Sequence, residues 1–198
     1  MSVGDLLFIA SVLLEFFLLV WMAVCLLRVR WRPLRRLLTF AGIYLCGYAT
    51  ALIAVSLLTP RRFLAPGERR CFDDWCVAAT GAQRQGNVWI ATLDVSSDAK
   101  RVRQRALDAN AELEDTKEQR HPPCGAPLTP QRLSDELGPG ESFRVVLPFC
   151  LPADALPAGV VMHHGAFPGL AIIGDDQSVL HPPALARVAI RETGSALP

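Results

Sequence analysis

What the first 58 residues lack sets the terms for the whole chain. From Met1 to Leu27 there is no lysine or arginine, and from Leu37 to Leu58 there is no charged side chain at all. A cleaved secretory signal needs a basic start and a short apolar stretch. Residues 1–5 lack the first and residues 6–27 are too long for the second. A lipoprotein site at Cys25 lacks the small residue that should precede it, since Val24 stands there. The net charge is +1 over 198 residues. Without a net basic field there is nothing to recruit nucleic acid, and no such partner is expected. Lysine is scarce (Lys100 and Lys117 only), so arginine carries the positive charge.

What is present is a pair of long apolar runs around a basic connector. Residues 6–27 contain Glu15 as their only charge, and residues 37–58 follow after a nine-residue stretch, 28–36, holding Arg28, Arg30, Arg32, Arg35 and Arg36. At about 1.5 Å per residue each run matches a hydrocarbon core of about 30 Å. The pattern predicts a two-helix transmembrane hairpin over residues 1–58, with its tip in the cytoplasm because basic residues at span ends favour that side. Both termini and everything after residue 58 then face outward from a bacterial inner membrane. Arg61, Arg62, Arg69 and Arg70 pull the other way, but are less concentrated. Glu15 is an intramembrane polar group. It reads either as a relay or helix contact, or as a protonated carboxyl bonded to Tyr44, Tyr48 or Thr50. Gly47 and Ala51 suit a close helix seam, within the hairpin or with another protein.

Residues 59–70, punctuated by Pro60, Pro66 and Gly67, read as a linker. Residues 71–198 are long enough for one domain with its own core. Residues 88–95 alternate as a strand, with Trp89, Ala91, Leu93 and Val95 on one face. Residues 143–149 do the same through Phe143, Val145, Leu147 and Phe149, entered by a Pro139-Gly140 turn. Residues 159–164 and 185–190 are two further short strands; residues 98–120 fit helix or strand by pattern, with Asp108 and Asn110 leaning toward extended or turn structure. Short strands with Gly/Pro turns and no βαβ alternation predict an antiparallel sandwich.

The order of these pieces resembles a known family. A strand over 88–95, a charged Leu113-Glu114-Asp115 segment, a Leu137-Gly-Pro-Gly-Glu141 turn, the Phe143–Phe149 alternation and a Leu151-Pro152 exit follow one another. This is similar to the immunoglobulin-like, telokin-like extracellular domains tethered to bacterial membranes. The resemblance spans about residues 72–190 and implies an all-β immunoglobulin-like sandwich in an extracellular setting, with no chemistry. The chain departs from it where Asp115-Thr-Lys-Glu118 replaces an Asp-x-x-Gly turn, and in its Cys71–Cys76 entry and its 167–181 loop.

Four cysteines, Cys71, Cys76, Cys124 and Cys150, lie outside the apolar runs. An even set in an outward-facing domain predicts two disulfides, with three connectivities allowed. The expected pairs are Cys71–Cys76 and Cys124–Cys150. Zinc is the rival, though the spacing lacks two tight knuckles. The layout also resembles subunit II of the haem–copper oxidases, but the cysteine and histidine spacing for its copper site is absent. Adjacent His163 and His164 on a strand would point to opposite faces. Asp73-Asp74 and Asp175-Asp176 lack a calcium-loop pattern, and Asp176, Ser178 and His181 share one short loop rather than a hydrolase framework. Trp75 and Phe167 read as exposed partner contacts or as core plugs. The expected function is a non-enzymatic, membrane-anchored binding or assembly module needing no cofactor or metal. Its partners would be the lipid bilayer and a membrane or envelope protein. Asp73, Asp74, Trp75 and Phe167 are the candidate contacts. The alternative is a metal or redox carrier of a respiratory complex.

Overall fold

The structure is a computed structural model and describes residues 3–28, 31–165, 169–175 and 177–191. The chain forms two compact units.

The first unit holds helix α1 (Val3–Leu27) and helix α2 (Trp31–Leu58). Both are long and apolar enough to cross a membrane, and only 6% of each apolar window is buried. Phe17 is 68% and Ile43 69% exposed. The helices meet through a polar contact in which Tyr44 Oη donates to Ser11 Oγ at 2.6 Å, while Ser11 donates back to Leu7 O. Helix α2 starts at Trp31, so Arg32, Arg35 and Arg36 lie in its first turns rather than in the connector. It closes with Thr59 N bonded to Val55 O, and Pro60 cannot extend it. The segment from Gly169 to Pro182 also belongs to this unit. The sequence reading had placed that segment in the β domain.

The second unit is a sandwich of two sheets. One runs β1 (Phe63–Leu64), β9 (Leu185–Arg187), β8 (Pro157–His163), β5 (Asn110–Asp115), β6 (Arg120–His121). The other runs β10 (Ile190–Arg191), β3 (Trp75–Gln85), β4 (Val88–Ser97), β7 (Ser142–Cys150), with β2 (Arg69–Phe72) also paired to β3. Trp89, Ala91, Leu93 and Val95 of β4 and Val145, Leu147 and Phe149 of β7 bury one face, as the period-two pattern requires. Opposite them sit Ala111 and Leu113 of β5 and Val160 and Met162 of β8. Gly86, at φ 61°, makes the two-residue β3–β4 turn. At Gly159 a Cβ would lie 2.5 Å from Ala186 O, so only glycine lets β8 approach β9.

Three sequence expectations change. The 59–70 linker instead supplies β1 and the start of β2, because Phe63 and Leu64 pair in register with Leu185 and Ala186. Residues 185–190 are two strands in different sheets, joined through buried Val188. The ambiguous 98–120 stretch resolves as irregular chain followed by β5 and β6.

The free edge of β7 is covered. Cys124 N donates to Pro148 O, Leu128 N to Val146 O, and Val146 N to Thr129 Oγ1. Covering an edge removes a template for strand addition, and the Cys124–Cys150 disulfide fastens that cover.

Candidate interaction site

The candidate site is the tip of the β2–β3 hairpin. Register places Cys71 opposite Cys76 and Phe72 opposite Trp75, leaving Asp73-Asp74 as a two-residue turn. The Cys71 and Cys76 sulfurs are bonded, with the Cα atoms 3.9 Å apart. Asp73 adopts φ 54°, which a short polar side chain tolerates. Asp74 O accepts a bond from Asp98 N at 2.8 Å. Both turn carboxylates are exposed.

Beneath the turn lies an aromatic layer. His164 stacks on Phe72 at 5.5 Å and tilts against Trp75 at 5.3 Å, and Phe72 and Trp75 are 5.9 Å apart. The Arg70 guanidinium sits 4.5 Å above the Phe72 ring and donates to Met162 O. Trp75 is 2% exposed and its indole N–H has no acceptor. Trp75 is therefore a core plug, and the expectation that it offers an exposed contact does not hold. Arg69 pairs with Asp98 at 2.5 Å beside the disulfide. The result is an exposed acidic turn at the end of a disulfide-bridged hairpin.

Other candidate residues are not assembled into a reaction centre among the described residues. Donor atoms of Cys71, Cys76 and Asp98 lie within 4.8 Å of one another. With the two sulfurs bonded, that group offers a single carboxylate, itself ion-paired. His163 and His164 diverge: His163 Nε2 faces Glu112 at 3.6 Å while His164 joins the aromatic layer. Burial pushes the His163 imidazole down, and the Arg120 and Arg70 charges add to this while Glu112 opposes it. Ser178 Oγ donates to Asp175 O and lies 2.9 Å from Ser56 Oγ, and His181 Nδ1 faces Ser56 O at 3.2 Å. The Ser178 and His181 side chains thus contact Ser56 of α2 rather than each other. Phe167 and Asp176 lie outside the described residues.

Glu15 is half-buried, and each of the three hydroxyls considered for it sends its proton to another acceptor. Tyr44 donates to Ser11, Tyr48 to Ala171 O and Thr50 to Cys46 O. Gly47 faces open space, so the Gly47–Ala51 seam is not the one inside the hairpin.

The sequence reading missed a buried charge cluster. Glu114 is 2% and Asp115 1% exposed. Arg61 grips both Glu114 oxygens, at 2.5 and 2.7 Å, and also donates to Pro183 O. Arg120 reaches Glu114 Oε2 at 3.3 Å. Burial pushes the Glu114 carboxyl up, but the Arg61 and Arg120 hydrogen bonds and charges bring it below the ordinary value. Burial likewise raises Asp115, and the His121 contact with the Gln119 and Lys117 amides outweighs it, so that carboxyl is also lowered. One signal was available, since Ala111, Leu113 and Asp115 share a face by period two. An inward carboxylate follows from that alternation.

No family model matches the chain. No curated protein matches it. Among solved structures, a secreted protein from Mycobacterium tuberculosis is similar at 13% identity and a TM-score of 0.42, over 54% of this chain and 92% of that one. The yjhA protein from Bacillus subtilis is similar at 12% identity and a TM-score of 0.38, over 64% and 99% of the two chains. An uncharacterized β-sandwich protein from Clostridium difficile is similar at 9% identity and a TM-score of 0.37, over 54% and 89%.

Proposed function

We propose that this chain is a non-enzymatic binding module held in a bacterial inner membrane by α1 and α2. Both termini and a telokin-like, immunoglobulin-like sandwich lie on the outer side. The five arginines around the helix connector support that orientation, because basic residues are retained on the cytoplasmic side. The partner is a membrane or envelope protein presenting cationic side chains to Asp73 and Asp74. The observation that carries this reading is the exposed acidic turn on a disulfide-clamped hairpin backed by Arg70, Phe72 and Trp75. Preorganised loops lose little entropy on binding, and charge complementarity speeds encounter.

The test is crosslinking of the full-length chain in intact membranes, comparing wild type with Asp73→Asn/Asp74→Asn. Asn keeps the left-handed turn and removes both charges. The adduct should disappear in the double variant and persist in Asp108→Asn, an exposed carboxylate elsewhere on the sandwich. An adduct that survives removal of both charges refutes the acidic-tip reading. Labelling of reduced membranes by an impermeant maleimide tests orientation separately: the four sandwich cysteines should react only after reduction, without opening the membrane.

A further inference from the structure

The segment from Gly169 to His181 is attached to α2 at two heights. Tyr48 Oη donates to Ala171 O at 2.7 Å, while Ser56 Oγ meets Ser178 Oγ at 2.9 Å and Ser56 O faces His181 Nδ1 at 3.2 Å. Ser56 is two residues and Tyr48 ten residues before Leu58, the last helical residue. At the rise of an α-helix these levels are about 3 and about 15 Å from the outer end of the apolar run. The 3-10 turn Gly169–Ala171 is tied to both points: Ala171 O accepts from Tyr48, and Leu170 O accepts from Val179 N, the neighbour of Ser178.

Polarity follows the same scale. Asp175 O accepts both the amide and the hydroxyl of Ser178. Ser178 is also bonded to Ser56, so the Asp175 turn is tied near the outer end of α2. The Gly169–Ala171 turn is held to Tyr48, farther from that end of α2. Leu170 and Val179 are 40% exposed and Leu180 61%. No lysine or arginine occurs between His164 and Ala186. Backbone groups placed in hydrocarbon must be satisfied internally. Here Ile172 N bonds Gly169 O, Asp175 N bonds Ile172 O, Val179 N bonds Leu170 O and His181 N bonds Ser178 O.

We infer that this segment inserts into the outer leaflet as a third membrane contact, with phospholipid acyl chains against Leu170, Val179 and Leu180 and the Asp175 turn among the headgroups. The inference rests on the reading that α1 and α2 span the bilayer. It gives the chain an interfacial anchor beside its two spanning helices.

Nitroxide accessibility in phosphatidylcholine vesicles tests it with the full chain. Leu170→Cys, Val179→Cys and Leu180→Cys are labelled singly in a Cys25→Ser/Cys46→Ser background; all three sites are exposed, so the label displaces no core. Ile43→Cys serves as a spanning reference and Asp108→Cys as an aqueous one. The three loop labels should collide several-fold more with oxygen than with a water-soluble nickel complex, as Ile43→Cys does. Loop labels that behave like Asp108→Cys while Ile43→Cys stays in hydrocarbon overturn the inference and leave the spanning reading intact. Loop labels shielded from both reagents mean that a protein covers the segment, and overturn it as well. An Ile43→Cys label in water overturns the spanning reading, and the inference falls with it.

Discussion

The helical unit and the sandwich use the same apolar side chains in opposite ways. Phe17 and Ile43 are mostly exposed on α1 and α2, whereas Phe149 and Leu113 are completely buried between the sheets. The sandwich supplies its own apolar environment, and the hairpin requires one from outside. Polar groups divide likewise. In the hairpin, the neutral Tyr44 hydroxyl donates to Ser11, which in turn donates to Leu7 O. In the sandwich, Glu114 and Asp115 are buried as charges because Arg61, Arg120, His121 and two backbone amides surround them. A buried charge is tolerated only where every partner is in place.

The contrast can be tested in order of effect. Phe149→Ala should lower the unfolding free energy of the sandwich by about 3–5 kcal/mol, whereas Phe17→Ala in a lipid or detergent environment should change it little. Denaturant titration of the full chain reads both, and equal losses would mean that α1 is packed rather than lipid-facing. Arg61→Ala comes next. It leaves the Glu114 carboxylate buried and short of its main partner, at a cost of about 3 kcal/mol. Arg61→Ala combined with Glu114→Gln should recover part of that loss, because the stranded charge goes too.

Removing the Cys124–Cys150 bridge opens a loop of 26-residue separation and should cost about 3 kcal/mol. Removing Cys71–Cys76, with a separation of 5, should cost closer to about 2 kcal/mol. Paired Cys→Ser variants, compared by thermal unfolding, measure the difference. A larger loss at Cys71–Cys76 would show that the hairpin tip is a folding element as well as an interaction site.

Acid should have the smallest effect near neutrality and a growing one below it. The carboxyls of Glu114 and Asp115 are lowered in the fold, so the unfolded chain binds protons at higher pH than the native one. Their contribution is fully present above the ordinary carboxylate range, about pH 4–5, and is lost as pH falls through the native values. The melting temperature should therefore hold down to about pH 5 and fall below it. Glu114→Gln should flatten that fall.

Much of this was legible in residue order. Strands β4 and β7 announce themselves through Trp89–Val95 and Phe143–Phe149 because period-two burial and β-branched or aromatic residues agree. Strand β3 was not seen. Its Ala78, Ala79 and Gly81 have little strand preference, and the segment is extended because β2, β10 and β4 all pair with it. The candidate tip was half legible: the acidic doublet and its flanking cysteines stand out. The burial of Trp75 depends on His164, which reaches it from elsewhere in the chain.

The sequence by itself determined the two apolar helices, the sandwich class, the cysteines available to bridge and the acidic turn between two of them. Each is a local pattern whose physical consequence needs no distant partner. Only the tertiary structure decided that Arg61 neutralises Glu114, that β1 and β10 extend the two sheets and that residues 169–181 pack on α2. Those outcomes depend on which long-range hydrogen bonds and charges can be satisfied together, and residue order does not carry that information.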